Sequence, residues 1–466
     1  MNQSTLSSAF RLTHIRWDDK AHQLGFGYAL QDWEFEEKLG FSDQVYLALK
    51  QTYTSMTEPQ TMPAPLVAVH LMLGVSYWKI TASNDILVPY ELSSTQIAWW
   101  KQVYTKGMGE FFFKNQLPVQ PNLSFIAHDG DLMKVRVVDS TLQAPEASTR
   151  ILVPFGGGKD SVVSVGLLQD AGFEATAFLL RPVALQSTLV EEMSLSSVVV
   201  DRVLDPKMLF LTKQGIAKAG HVPMTAIYSL IACFVAQALA FGTVVLSNER
   251  SASEGTVMYQ DQMINHQWSK SYEAELAMQS FIAQTQPTIQ IFSMLRPYSE
   301  LQIVKRFVKR HASLLSRFSS CNRNFVYAGQ GTHALWCGDC PKCAFVFLML
   351  ATVLKKKDLV VLFGKDLLED DVLIPTFQEL ADFTGQKPFE CVGTSDEVRY
   401  ALMSIMDHPD WSYSAVIQDL RMQLDEIPED EQMRIKQTVL QPSETDAIPQ
   451  AYSMIRDQMM EFAHAK

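Results

Sequence analysis

Apolar and polar residues alternate over 10–17, 24–30 and 33–39, and this period of two predicts three short strands. Asp18-Asp19-Lys20 supplies a turn between the first two, so the pairing is expected to be antiparallel. Residues 64–115 instead carry longer apolar runs, over 67–77 and 95–104, which predict helices. Residues 116–123 hold Pro118 and Pro121 and read as a connection. From Thr149 the pattern changes. Short apolar runs at 151–153, 175–180, 197–200 and 243–246 predict buried strands, and amphipathic or apolar stretches at 161–171 and 224–241 predict the helices between them, the second stopped by Gly242. Strands alternating with helices imply an α/β domain whose parallel sheet is covered on both faces. After about Lys355 the chain reads as helical and acidic. Boundaries are therefore placed near 148 and 360. They give an N-terminal α+β, substrate-contacting domain (1–148), a central parallel-sheet domain (149–360) and a mostly helical C-terminal region (361–466).

The first of the buried strands runs into Pro154-Phe155-Gly156-Gly157-Gly158-Lys159-Asp160-Ser161, a glycine-rich turn that opens a helix. Glycines let backbone N–H groups approach a ligand closely, and a helix N-terminus presents free donors and a positive dipole end to an anion. Gly156, Gly157, Gly158, Lys159 and Ser161 are thus candidate phosphate-binding residues, with Asp160 the candidate Mg²⁺ ligand. The spacing fits neither the Walker loop nor G-x-G-x-x-G. It resembles the S-G-G-x-D-S loop of the PP-loop ATP pyrophosphatases, with Gly156 in place of the first serine. That likeness implies an adenine nucleotide alpha hydrolase-like fold and cleavage of ATP to AMP and pyrophosphate. Asn248, Glu249, Arg250 and Ser251 directly follow the strand at 243–246, where ligands of open α/β sheets bind. His221 precedes the apolar helix, and Arg296-Pro297-Tyr298-Ser299-Glu300-Leu301 loosely resembles a PP-loop segment that ends in a lysine, here displaced to Lys305.

Cys337, Cys340 and Cys343 form C-x-x-C-x-x-C, with Cys321 upstream. Four thiolates satisfy tetrahedral Zn²⁺, and so close a spacing is unusual for core packing. The set resembles the zinc site of the 7-cyano-7-deazaguanine synthases and is read as a structural zinc site.

Composition narrows the classes. Of the 466 residues 47% are apolar and 19% charged, which excludes a mainly disordered chain. The net charge of −12 disfavours non-specific nucleic-acid binding, because phosphates repel it. The first twenty residues lack the apolar core of a signal peptide. The uncharged stretch over 224–247 reads as helix, turn and strand rather than a membrane span. A cytoplasmic protein is expected, and its six cysteines are expected to be unpaired.

Beyond the loop, seven segments resemble the UDP-N-acetylmuramoyl-L-alanyl-L-glutamate epimerases, the MurL family. They cover 73–79, 107–112, 155–161, 220–227, 247–252, 336–347 and 387–393. The resemblance implies ATP-dependent inversion of the terminal L-glutamate of a UDP-muramoyl-dipeptide, through an acyl adenylate, in peptidoglycan synthesis. No motif marks the acid and base. Cys391 is a candidate proton shuttle, and His221, Glu249, Glu254, His266, Lys270 and Tyr272 are alternatives. Lys159 and Asp160 are expected to act in the adenylation. Tyr77, Trp78 and Lys79 are candidates for gripping the sugar nucleotide, against a core reading. Two other classes remain open at this stage: a PP-loop enzyme modifying a nucleobase or tRNA, and a non-catalytic ATP-binding module.

Overall fold

The computed structural model describes residues 9–56, 58–119, 121–128, 132–137, 148–325, 335–385 and 387–464. The first eight residues of the polar start, Gln120 of the expected connection and residues 138–147 before the expected boundary lie outside them. The fold is mixed α/β, with a large sheet, an N-terminal part and a helical C-terminal region.

A ten-stranded sheet organises the molecule. Across it lie Gln290–Ser293, Thr243–Leu246, Arg150–Pro154, Glu174–Leu180 and Ser196–Val203, all parallel, then Trp33–Phe41, Gln23–Leu30, Phe10–Asp18, Asp85–Val88 and Ser124–Ala127. The two halves join where Ser196–Val203 pairs antiparallel with Trp33–Phe41. The sheet therefore runs unbroken across position 148. Arg202 and Glu37 seal this join with a buried ion pair of 2.6 Å, and Arg202 also donates to Ser76 Oγ.

Alternation along the parallel strands divides the core between two faces. Leu152, Val244 and Leu246 face a cluster that contains the helix Met224–Ala238 and the wholly buried helix Ala64–Trp78. Ile151, Val153 and Val245 face the helices Lys159–Asp170, Glu300–Arg310 and Pro341–Ala351 and the C-terminal helices that pack on them. The helix from Met224 stops before Gly242. Ala240 adopts a left-handed φ of 56° and Phe241 N–H bonds back to the Ala236 carbonyl, so the terminal turn closes earlier than expected. Pro341 occupies the first turn of its helix, with Cys340 as the cap, so the last two cysteines of the cluster sit at that helix's start.

Among the described residues, no helix is long and apolar enough to cross a membrane.

Candidate active site

The chain order of the parallel strands reverses beside Arg150–Pro154. The next two strands are added on one side of it, and Thr243–Leu246 and Gln290–Ser293 on the other. Loops leaving the carboxyl ends of strands at such a switch point diverge and leave a crevice. Here the crevice is a cleft of about 310 Å³, lined by Gly156, Gly158, Asp160 and Ser161 from one loop and by Ser247 and Asn248 from the other. Lys270, Lys342 and Cys391 complete its wall.

The glycine loop has the geometry of an anion cradle. Gly157 has a φ of +75°, a conformation that costs a side-chain-bearing residue dearly, and a Cβ at Gly156 would meet nothing within 4 Å. Gln186 braces the loop by donating to the Phe155 carbonyl at 3.2 Å. The helix then starts at Lys159 with no side-chain cap, so its first N–H groups stay available. Ser161 Oγ donates to the Gly158 carbonyl. Lys159 is turned inward. Its buried ammonium pairs with Asp160 and Glu300 rather than reaching into the cleft. Burial pushes the Asp160 carboxyl up, but Lys159 outweighs it and holds the group below its usual range.

The segment after Ser247 divides. Asn248 stays at the cleft, donating to Ser293 Oγ at 3.1 Å. Glu249 and Ser251 are buried beside one another, and the Glu249 carbonyl accepts from Arg296 at 2.7 Å. Arg250 points the other way and donates to the carbonyls of Thr438 and Gln441, 2.6 and 3.0 Å distant. Of Asn248, Arg250 and Ser251, expected at the nucleotide, Asn248 lines the cleft, and the catalytic candidate Glu249 does not. Backbone geometry explains the split, because Arg250–Ser253 forms a 3-10 turn that swings successive side chains apart. Lys305 lies exposed on its helix. Tyr77 and Trp78 are fully buried and bonded internally, as core residues are.

Opposite the glycine loop sits a chain of ionisable groups. Cys391 Sγ lies 3.9 Å from His266 Nε2, and His266 Nδ1 lies 2.5 Å from Glu110 Oε2. His221 approaches the same Glu110 oxygen at 3.6 Å, while Lys114 holds the other. Burial pulls His266 down, yet its bonds to Cys391 and Glu110 prevail and raise it to about 9. Burial pushes the Cys391 thiol up, but Lys270 and then His266 bring it down to about 6. The pair is thus a thiolate beside an imidazolium at neutral pH. Burial and the neighbouring His266 push His221 down to about 4, so it stays neutral. Arg296 donates to the Lys270 carbonyl at 2.5 Å and pairs with buried Glu275, which fixes Lys270 at the cleft wall. Glu110, Glu300 and Lys342 were not singled out from the sequence. Glu110 had a signal there, as a lone acid in the apolar run Gly107-Met108-Gly109-Glu110-Phe111-Phe112.

The four cysteines converge. The sulfurs of Cys321, Cys337, Cys340 and Cys343 all lie within 4.8 Å of one another, and Cys337 and Cys343 are 3.6 Å apart. Tetrahedral zinc with bonds of about 2.3 Å puts its sulfurs about 3.8 Å apart, so the set fits that ion. Cys343 N–H also donates to Cys340 Sγ at 3.4 Å, as thiolate ligands require. Between them, Lys342 donates to the Cys391 carbonyl, so the cluster helps to anchor the cleft.

Family comparisons bear on this architecture. The MurL N-terminal domain model matches residues 1–294, and the MurL C-terminal domain model matches residues 317–435. The chain belongs to the MurL family. Its relatives include the UDP-N-acetyl-alpha-D-muramoyl-L-alanyl-L-glutamate epimerases of Micromonospora sp., 36% identical over 87% of each chain, and of Xanthomonas oryzae pv. oryzae, 36% identical over 77% of this chain and 79% of the relative. That of Salinispora tropica is 34% identical over 90% of this chain and 89% of its own. The family junction falls between residues 294 and 317, just before the cysteine cluster.

Proposed function

We propose that this protein inverts the terminal L-glutamate of UDP-N-acetylmuramoyl-L-alanyl-L-glutamate to D-glutamate, after charging its α-carboxylate with AMP from ATP, as a cytoplasmic step of peptidoglycan precursor synthesis. The names of its relatives support the substrate and the inversion. The observation that carries the coupling to ATP is the shared cleft, since Asp160 and Ser161 of the anion cradle and the Cys391 thiol line one crevice.

The chemistry explains why both belong together. Removing the α-proton of a carboxylate adds charge beside an existing anion, so that proton is very weakly acidic. A mixed anhydride with AMP removes the charge and delocalises the developing carbanion into the acyl group. A base then takes the proton, delivery to the other face inverts the centre, and water releases the product. The loop N–H groups and the helix dipole bind the phosphates. Asp160 is the carboxylate that would hold Mg²⁺, which supplies charge neutralisation along the triphosphate. Lys159 serves by fixing Asp160. The four cysteines would hold a structural zinc.

The test is stoichiometry. Purified protein with ATP, Mg²⁺ and the L-glutamyl substrate is expected to yield D-glutamate after hydrolysis, with AMP and pyrophosphate formed in step with inversion. Inversion without ATP, or with ADP as the product, overturns the reading.

A further inference from the structure

We infer that Cys391 is the base that takes the substrate's α-proton and Lys270 the acid that supplies its replacement, with Glu110 and His266 as positioning residues that hold Cys391 ready. The inference rests on the epimerase reading above and identifies the groups that carry its central step.

Four observations meet here. Cys391 and Lys270 both line the cleft that holds the glycine loop. Of the charged groups around it, Lys270 does most to hold the Cys391 thiol down, so ammonium and sulfur face one another across the cleft wall. The thiol faces His266 Nε2 at 3.9 Å, and Glu110 fixes the far side of that ring at 2.5 Å. Finally, the backbone on each side is clamped, Lys270 by Arg296 and Cys391 by Lys342. A cysteine kept only for packing has no need of this supporting shell.

The protons balance. The Cα–H bond of the acyl adenylate breaks and an S–H bond forms on Cys391, while the electron pair passes into the enolate. The Lys270 ammonium then gives a proton to the opposite face, leaving an amine. When product departs and the two side chains meet again, the thiol proton passes to that amine. Thiolate and ammonium are restored, and no other reactant is needed. The imidazolium of His266 stabilises the thiolate between turnovers.

The charged groups around the thiol are His266 and Lys270 from the segment after Ile264, and Lys342 from the helix Pro341–Ala351. Behind His266 stand Glu110, His221 and Glu390. Glu110 keeps His266 cationic, so its removal weakens the thiolate.

The experiment separates the two half-reactions. Substrate-dependent exchange of labelled pyrophosphate into ATP reports adenylation, and uptake of solvent deuterium at the glutamate Cα reports proton transfer. In Cys391→Ala and Cys391→Ser, deuterium uptake is expected to fall by at least about 100-fold while pyrophosphate exchange persists. Deuterium uptake at the wild-type rate, or loss of both half-reactions in both variants, overturns the assignment. A wild-type enzyme that exchanges no pyrophosphate overturns the adenylation reading instead. Alkylation of Cys391 by iodoacetamide gives a second readout. Its rate is expected to rise through pH about 6 in the wild type and at higher pH in Glu110→Gln. An unshifted profile in Glu110→Gln removes Glu110 from the positioning role.

Discussion

Lys159 and Glu300 form a buried ion pair, each side chain 1% exposed, that ties the first turn of the helix Lys159–Asp170 to the first turn of Glu300–Arg310. Asp160 shares the same ammonium at 2.6 Å. Two carboxylates thus divide one cation. Asp160 keeps its charge, while burial raises Glu300 to about 7 against the pull of Lys159.

The sign of the consequence follows from linkage. Folded Glu300 holds its proton more tightly than the unfolded chain, whose value is 4.5. The stability this contributes is present below pH 4.5 and is lost as pH rises towards about 7. Glu300→Gln mimics the protonated form. The melting temperature of the wild type, relative to this variant, is expected to fall across that window in thermal melts. Parallel curves would contradict the shared-cation arrangement.

Arg250 is engaged by the fold. Its guanidinium caps the carbonyls of Thr438 and Gln441 at the end of the helix Glu429–Leu440. Arg250→Ala is expected to cost about 1 kcal/mol of stability, because two carbonyls at the helix end lose a charged donor. The KM for ATP is expected to change little. Denaturant unfolding and ATP titration together check this.

The same residue shows what the sequence could and could not reveal. The meander of the first forty residues and the strands around Leu152, Ala177, Val198 and Val244 were legible, because each is written in a local period or run. The glycine turn was legible because Gly157 needs a left-handed backbone. Three strands of the sheet were not expected. Gln290–Ser293, Asp85–Val88 and Ser124–Ala127 are four residues each, too short to show a period. The join between Val200 and Phe41 leaves no local trace either, since its partners are far apart in sequence. Non-local pairing also hid the site. Glu110, His266 and Cys391 come from three distant segments, and nothing in the string Ser247-Asn248-Glu249-Arg250-Ser251 tells which side chains the 3-10 turn will point at the cleft.

Zinc is expected to hold the Cys391 side of the cleft in place. Cys340→Ser removes one of four converging sulfurs while leaving a capping oxygen at the start of the helix that carries Lys342, so the loss isolates the metal. Loss of about 4 kcal/mol is expected, together with loss of stoichiometric zinc by elemental analysis. A variant as stable as the wild type would show that the four sulfurs bind no structural metal.

The thiolate–imidazolium pair is expected to set the pH range of turnover. Inversion is expected to rise through pH about 6, as Cys391 ionises, and to fall above about 9, as His266 loses its proton. These values belong to the coupled pair. In Glu110→Gln the alkaline limb is expected to move to lower pH, because the imidazolium has lost its carboxylate partner. Initial rates across pH 5 to 10, covering both limbs, check the shape.

The most direct measurement of the whole account is turnover in deuterium oxide, followed by mass analysis and chiral separation of the released glutamate. The account predicts one deuterium at Cα of the D-glutamate, with AMP and pyrophosphate formed and no incorporation when ATP is left out. D-glutamate that keeps its original α-hydrogen, or deuterium uptake that proceeds without ATP, would contradict it.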